Sequence, residues 1–337
     1  MDYQSVIRTY GNTNLPKGTP GRPLVTFAVF AYNQEKYIRE AVEGAFSQTY
    51  SPLEIILSDD CSSDRTFEIM EEMAREYRGQ HLVKVRLGEK NKGLAGHIND
   101  VVDMSDGEII SWAAGDDIAL PARTSVFVDA LLKDTSLCGI HSDVLEIDVT
   151  GRAIRERRHS KREHETNLIE VINVGQSVIT QSHAFRKVVF STFGPFLSDL
   201  TQEGIAMAFR EAALGKVGFV DQCLTLYRIG SGVSTYSGSD IERKMVSEPI
   251  KYTKWYLSAF NQMLHDSERL PVPLAHSMRR QLIENIAFYS NLLQINEGRG
   301  LLVPLLRNIM IRPSDAKSIR ATIRRIVPRS VYSRIIR

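Results

Sequence analysis

Two adjacent aspartates, Asp116 and Asp117, stand at a position where a buried strand is predicted to end. The apolar run 109–113 precedes them, and such a run is typical of a strand covered on both faces. Carboxylates at this position can bind a hard cation such as Mg²⁺ or Mn²⁺, which takes oxygen ligands and is often shared with phosphates. Aspartates are also common in solvated turns and at helix caps, so this pair alone leaves both interpretations open.

A second acidic pair, Asp59 and Asp60, follows another short apolar run, 53–57. The sequence predicts four strands, at 23–30, 53–57, 82–87 and 109–113. Between successive strands, apolar residues recur at helical spacing, which predicts a helix in each connection. Strands that alternate with amphipathic helices predict an α/β fold with a mostly parallel sheet. Because parallel strands end at one edge of a sheet, both acidic pairs are expected at that edge, where open α/β sheets bind ligands.

The composition is that of an ordinary soluble globular protein. The chain has 337 residues, of which 43% are hydrophobic and 24% charged, and its formal net charge of +2 gives no reason to expect nucleic acid as a partner. Three widely spaced cysteines show neither a disulfide framework nor zinc spacing. No signal peptide and no membrane-spanning run is visible, so we expect a cytoplasmic protein.

Phosphate-binding glycine loops are absent after the first predicted strand. The chain reads Ala31-Tyr32-Asn33 there, and neither the dinucleotide fingerprint nor a Walker lysine loop occurs. A nucleotide bound at this sheet edge would therefore need another way to hold its phosphates, and a divalent metal is the simplest one.

Four segments, in this order, resemble the family 2 glycosyltransferases. They are Val29–Asn33 with Tyr37-Ile38, then Ser58–Thr66, then Asn91–Leu94, and finally Gly107 to Pro121. The resemblance implies a GT-A fold with a Rossmann-like sheet and a hexosyltransferase-like enzyme of polysaccharide assembly. It also implies inverting transfer of a sugar from a nucleotide diphosphate donor to a glycan or lipid-linked acceptor.

The same resemblance assigns roles to individual residues. It places the donor nucleotide against Phe30, Ala31, Tyr32, Asp59, Asp60, Asn91, Gly93 and Asp116. It places a divalent metal, Mn²⁺ or Mg²⁺, on Asp116 and Asp117. A carboxylate that reads the base can accept a hydrogen bond from the ring N–H of uracil or thymine, so we expect a UDP-type or dTDP-type donor.

Departures from the family pattern concentrate on the acceptor side. Gly204 stands where the family has an aspartate base, so either Glu203 or Asp199 is expected to act as the catalytic base. Ala114 replaces the first aspartate of the metal motif, and a histidine often found after Tyr227-Arg228 is missing. The alternative is therefore a glycosyltransferase-like protein that binds a nucleotide sugar but lacks a competent base. A nucleotidyltransferase is a third interpretation, but its usual glycine-rich loop is missing.

Three regions are predicted along the chain. Residues 1–22 read as a lead-in segment, 23–235 as the GT-A catalytic domain, and 240–337 as a helical C-terminal region. Residues 217–220 and 224–228 are predicted as two short strands around a turn. The densely charged stretch 152–165 is either a solvated loop or a lid over the site.

From Leu301 onward the chain has nine basic residues and one acidic residue. Its arginines and isoleucines recur at helical spacing, at Arg320, Arg324, Arg325 and Arg329 and at Ile319, Ile323 and Ile326. This pattern is typical of an interfacial helix on an anionic membrane, which would make the protein peripheral on the inner face of the cell membrane. A helix packed on the catalytic domain is the competing interpretation.

Overall fold

The computed structural model describes residues 6–13, 18–19, 21–158, 166–230 and 248–299. Strands and helices alternate through most of residues 25–133. In chain order they are β1 (Val6–Gly11), β2 (Val25–Ala31), α1 (Ile38–Phe46), β3 (Leu53–Asp59), α2 (Thr66–Glu76), β4 (Leu82–Leu87), α3 (Gly93–Met104), β5 (Ile109–Ala114), β6 (Ile118–Ala119) and α4 (Arg123–Lys133).

The following part of the chain is less regular. It contains β7 (Leu137–Ile147), β8 (Ala153–Arg157), α5 (Leu168–Val174), a 3-10 turn (Thr180–Ser182), β9 (His183–Arg186), α6 (Val188–Phe193), α7 (Glu203–Leu214), β10 (Lys216–Arg228), α8 (Pro249–Ser267) and α9 (His276–Asn296).

The strands form one mixed sheet in the order β1-β4-β3-β2-β5-β9-β7-β10-β6, with β8 paired to β7. Strands β4, β3, β2 and β5 are mutually parallel, which confirms the predicted parallel core. The short strand β9 runs antiparallel to both β5 and β7, and it joins the parallel core to the rest of the sheet.

Helices cover both faces of the sheet, as the alternating pattern predicted. Side chains on one face, such as Phe27, pack with α1, α2 and α4 in one apolar cluster. Side chains on the other face, such as Ala28, pack with α3, α6 and α7 and with the C-terminal helices α8 and α9 in a second cluster. Because neighbouring residues of β2 point to opposite clusters, all of its residues but one are apolar, and the exception, Thr26, is buried.

Two elements differ from the sequence-based expectation. The lead-in segment contains strand β1, which is mostly exposed and pairs antiparallel with β4 at the sheet edge. Residues 217–220 and 224–228 belong to one strand, β10, because it pairs with β7 along its length and absorbs the irregular middle as register shifts around Cys223.

The helical C-terminal region is present as α8 and α9 over the residues that the structure describes. No helix among those residues is long and apolar enough to cross a membrane. The basic tail from Leu301, with its predicted interfacial helix, lies outside the described residues.

A buried ion pair attaches helix α8 to the rest of the fold. Arg210 on α7 is fully buried and donates to both carboxylate oxygens of Asp266 on α8, from Nε at 2.7 Å and from Nη2 at 3.0 Å. Its guanidinium also lies over the ring of Phe196 at 4.3 Å. Arg210 is therefore a core residue that joins two helices.

Removing one partner of this pair should strongly destabilise the fold. In Asp266→Asn the buried guanidinium loses its counter-charge, and we expect a loss of about 3–5 kcal/mol in the free energy of unfolding, measured by urea denaturation. The exposed pair Arg280–Glu284 provides the control, because Glu284→Gln should change stability by less than about 1 kcal/mol. Equal effects of the two substitutions would contradict the role of the buried pair.

Candidate active site

The two acidic pairs meet on either side of the end of strand β2. Strand β2 lies between β3 and β5, with Ala31 opposite Asp59 and Phe30 opposite Ala114. Backbone bonds continue past the strand ends, because Asp60 N donates to Ala31 O at 3.0 Å and Gly115 N donates to Phe30 O at 2.8 Å. The expected convergence of both pairs on one sheet edge is therefore present.

Asp59 is a structural anchor of the turn that follows β3. Its side chain is fully buried and accepts two hydrogen bonds of 2.6 Å from Ser62, one from the backbone N–H and one from the hydroxyl. Cys61 between them has a φ of +64°, a left-handed conformation that is uncommon for a residue other than glycine. Burial raises the pKa of Asp59, and the bonds from Ser62 oppose that rise.

Asp60 is held by the backbone of the turn between β4 and α3. Its carboxylate accepts hydrogen bonds from Lys92 N at 3.1 Å and from Gly93 N at 2.9 Å. Gly93 has a φ of +70°, and Asn91 Oδ1 also accepts from its N–H at 2.8 Å. Asn91 and Gly93, two of the predicted nucleotide-binding residues, therefore shape the turn that positions Asp60.

The last residues of β2 and the one after it lie next to the backbone of Asp60, whose N–H donates to Ala31 O. Phe30 is half-buried, with its ring edge-on to His97 at 5.0 Å and to Trp112 at 6.1 Å. Ala31 is buried, whereas the side chain of Tyr32 is 45% exposed. The end of β2 thus presents a half-buried aromatic residue, Phe30, and an exposed one, Tyr32.

Asp116 and Asp117 occupy different environments in the turn after β5. Asp117 is 1% exposed, and its Oδ1 accepts a hydrogen bond from Arg228 N at 2.9 Å. Its Oδ2 is buried and has no hydrogen-bond partner among the described residues. Asp116 is 7% exposed, and its backbone carbonyl accepts from Arg228 Nε at 3.0 Å.

The charges around Asp117 act in opposite directions. Burial, and then the neighbouring carboxylate of Asp116, raise the pKa of Asp117 well above its ordinary value, while Arg123 and Arg228 oppose the rise. Arg123 is fully buried, and burial lowers its pKa to about 9. Its Nη2 donates to the carbonyls of Trp112 and His183, which lie opposite each other on β5 and β9.

Arg228 is a site residue whose role sequence reasoning did not identify. Besides its contacts with the acidic turn, its Nη2 donates to Glu40 Oε2 at 2.7 Å and its Nη1 donates to Asp148 O at 3.1 Å. The guanidinium lies over the ring of Tyr37 at 4.7 Å. The likeness at Tyr227-Arg228 was a signal for this position, but only the folded chain connects it to Asp117.

The donor atoms of the acidic turn fit a divalent cation. The described residues contain no cluster of three or more His, Cys, Asp or Glu side chains around one point, so the protein alone does not form a closed metal cage there. The turn does offer the Asp116 carboxylate and the buried, unpartnered Oδ2 of Asp117. Two carboxylates with the remaining positions left to water and phosphate oxygens is the usual arrangement for Mg²⁺ in nucleotide sites.

Glu203 is positioned at the same sheet edge by Thr180. Glu203 is the first residue of α7, and its Oε1 accepts from Thr180 Oγ1 at 3.0 Å. Thr180 precedes β9, which pairs antiparallel with β5 so that His183 faces Trp112. The 3-10 turn Thr180–Ser182 directly precedes β9 and contacts β5 and β7, so Thr180 lies close to the end of β5.

The two candidate bases differ in their surroundings. Burial raises the pKa of Glu203, and the hydrogen bond from Thr180 opposes that rise. Asp199 is exposed on the loop between α6 and α7. A raised pKa makes the Glu203 carboxylate a stronger proton acceptor than an ordinary glutamate.

Gly204 is enclosed too tightly to carry a side chain. A Cβ built on it would lie 2.3 Å from Ser177 Oγ, 3.0 Å from Val178 O and 3.2 Å from Thr180 Cγ2. The segment that carries Thr180 thus approaches the backbone of α7 closely, and this approach excludes an aspartate at position 204. The glycine and the contact between Thr180 and Glu203 are parts of one local arrangement.

An added methyl group at position 204 should therefore destabilise the protein. We expect Gly204→Ala to lower the free energy of unfolding by about 1–3 kcal/mol, measured by urea denaturation, because the Cβ overlaps neighbouring atoms. Adding Ser177→Ala should recover part of the loss, since Ser177 Oγ is the nearest atom, while Val178 O remains close. A Gly204→Ala protein as stable as the unsubstituted one would contradict this packing.

Comparisons with known proteins agree with this geometry. Residues 26–192 match the sequence profile described as Glycosyl transferase family 2. Chondroitin synthase of Escherichia coli is 34% identical over 132 residues, which are 39% of this chain and 19% of that protein. The EpsE protein of Bacillus subtilis is 31% identical over 129 residues, which are 38% of this chain and 46% of that one. The matched segments thus span less than half the length of either relative.

Two solved structures share the fold at low sequence identity. S. aureus TarS 1–349 in complex with UDP-GlcNAc aligns with a TM-score of 0.52 at 16% identity, covering 88% of this chain and 89% of that one. The mannosyltransferase PcManGT from Pyrobaculum calidifontis, in complex with GDP-Man and Mn²⁺, aligns with a TM-score of 0.54 at 15% identity, covering 93% and 89%. The overall architecture is therefore shared well beyond the matched sequence segment.

Proposed function

This chain belongs to glycosyl transferase family 2, and on that basis we propose that it moves a sugar from a nucleotide diphosphate to a glycan or lipid-linked acceptor with inversion at the anomeric carbon. One observation supports the proposal most directly. Asp60 and the turn that contains Asp116 and Asp117 lie on either side of the end of β2. The relationship to a chondroitin synthase supports a role in polysaccharide assembly.

Asp60 is the proposed reader of the nucleobase. Two backbone amides hold its carboxylate at the sheet edge, between Phe30 and the turn at Gly93. A carboxylate can accept a hydrogen bond from the N3–H of uracil or thymine, whereas N1 of adenine carries no hydrogen. This chemistry favours UDP or dTDP donors over adenine nucleotides.

Asp116 and Asp117 are the proposed ligands of a divalent cation, Mn²⁺ or Mg²⁺, and Asp116 also faces the ribose. When bound, the cation neutralises negative charge that develops on the leaving diphosphate. Arg228 holds the turn, because its backbone N–H donates to the carboxylate of Asp117 and its guanidinium donates to the backbone carbonyl of Asp116. The turn is thereby held in one geometry before the donor arrives.

Glu203 is the proposed general base for transfer. It accepts the proton of the acceptor hydroxyl while that oxygen forms a bond to the anomeric carbon. The bond from the anomeric carbon to the diphosphate breaks on the opposite face, and its electron pair leaves with the diphosphate. One displacement of this kind inverts the anomeric centre, and the proton ends on Glu203.

Donor binding should depend on Asp116 and on a divalent cation. We expect Asp116→Asn, and separately chelation with EDTA, to weaken UDP binding by about tenfold or more in calorimetric titrations with Mn²⁺ present. ADP should bind more weakly than UDP to the unsubstituted protein. Asp103→Asn, which removes an exposed carboxylate from α3, should leave UDP binding unchanged. Unchanged affinity after both chelation and Asp116→Asn would refute the metal-assisted site.

Glu203→Gln should abolish transfer while leaving UDP binding intact. We expect UDP release from a panel of UDP-sugars to fall by about 10²–10⁴-fold, because proton removal from the acceptor is lost. Asp199→Asn should leave this rate unchanged. Since the pKa of Glu203 is raised by burial, activity of the unsubstituted enzyme should fall on acidification at a pH above the usual range of glutamate.

Gly204 supports one alternative, a nucleotide-sugar binding protein without a competent base. This alternative predicts that the protein binds UDP but turns over no UDP-sugar, with either glutamate or glutamine at position 203. Turnover that is lost in Glu203→Gln would exclude it. Turnover that is lost only in Asp199→Asn would move the base to that residue.

We also propose that the basic tail from Leu301 rests on an anionic membrane surface, which would place the enzyme beside a lipid-linked acceptor. The support is the spacing of arginines and isoleucines in the sequence. Arginines near such a surface are attracted to acidic lipids, and the isoleucine stripe suits shallow insertion.

A further inference from the structure

Beneath Asp60 lies a chain of buried polar groups that none of the proposed catalytic steps uses. Arg86 on β4 is 2% exposed, and its Nη1 donates to Ser58 Oγ at 3.1 Å. The same hydroxyl contacts Nε2 of buried His97 at 2.7 Å, and the ring of His97 supports Phe30 edge-on. These groups connect the interior of the sheet to the aromatic residue beside the proposed base pocket.

Asp100 connects this buried chain to the turn that holds Asp60. One of its oxygens, Oδ2, accepts from Arg86 Nη2, and its two oxygens lie 2.9 Å and 2.8 Å from Lys92 Nζ. Lys92 is also a residue whose backbone N–H holds Asp60. A single carboxylate on α3 therefore neutralises a buried guanidinium and fixes the side chain of the turn residue.

Gly96 leaves the space that this contact needs. Lys92 precedes α3 and Asp100 lies eight residues further on, so the lysine side chain must run along the helix surface. A Cβ at position 96 would lie 2.7 Å from Lys92 Cβ. Alanine at this position would displace the lysine, although alanine is the better helix former.

We infer that Asp100 is a positioning residue for nucleobase recognition, acting through Lys92 on the backbone amides that hold Asp60. This inference rests on the proposed function of Asp60 as the reader of a uracil-type base. It extends that function, because selectivity for the nucleobase then depends on Asp100, a carboxylate that does not contact the nucleotide.

Charge effects and positioning can be separated by three variants. Asp100→Asn removes a negative charge, Lys92→Met removes a positive charge, and Gly96→Ala changes no charge. If Asp100 acted only through its charge on the anionic nucleotide, Asp100→Asn would tighten UDP binding. If it acts through position, all three variants should weaken UDP binding by about tenfold, as supporting groups around a ligand site do.

Lys90→Met is the matched control, because Lys90 is an exposed lysine in the same turn. It should leave UDP affinity unchanged. Hydrogen exchange at the amides of Lys92 and Gly93, measured residue by residue, supplies a second readout that needs no nucleotide. Exchange at both amides should become several-fold faster in the three variants and stay unchanged in Lys90→Met. Circular dichroism checks that each variant is folded.

The outcomes distinguish this inference from the proposed function. Weaker binding together with faster exchange in all three variants supports the positioning role. Unchanged exchange in folded Asp100→Asn and Lys92→Met proteins, or tighter UDP binding in Asp100→Asn, overturns it. If the unsubstituted protein binds no UDP, the proposed donor site fails, while the exchange rates still decide whether Asp100 positions the turn.

Discussion

Four carboxylates gathered at one buried sheet edge impose the electrostatic constraint on which the rest of the structure depends. Asp59, Asp60, Asp116 and Asp117 are all less than 10% exposed. An ionised carboxylate removed from water is strongly destabilising unless hydrogen bonds or opposite charges compensate it. Much of the irregular structure around the edge supplies that compensation, and the elements that supply it come from distant parts of the chain.

The two pairs are compensated in different ways. Backbone amides and a hydroxyl hold Asp59 and Asp60, so the turns after β3 and β4 have backbone shapes that depend on Cys61 and Gly93. Asp117 depends on a backbone amide and on two buried arginines, Arg123 and Arg228. Arg86 also acts on Asp60, where its charge and the two amides oppose the rise in pKa that burial causes. The pairs differ in that both oxygens of Asp60 accept backbone hydrogen bonds, whereas Oδ2 of Asp117 has no hydrogen-bond partner among the described residues.

Sequence patterns predicted the parallel core because its signal is local. Strands β2, β3 and β5 are short, mostly apolar runs, and β4 alternates apolar residues with charged ones. Each intervening helix has apolar residues at helical spacing, so both acidic pairs could be placed at one edge. Contacts between distant residues left no such signal. Strand β1 is exposed and exists through its pairing with β4, the role of Arg228 requires Asp117 from 111 residues earlier, and the crowding at Gly204 depends on Ser177 and Val178.

The bond between Arg228 and Asp117 also bears on the order of events during synthesis. A nascent chain that has left the ribosome only as far as α4 already contains all four aspartates and the whole parallel core. Arg228, whose amide donates to Asp117, lies 111 residues later in the chain. Its guanidinium donates to Glu40, which lies 188 residues earlier than Arg228. Until β10 is synthesised, Asp117 lacks the backbone N–H that donates to its Oδ1. The acidic turn can therefore reach the geometry described here only after β10 has been synthesised.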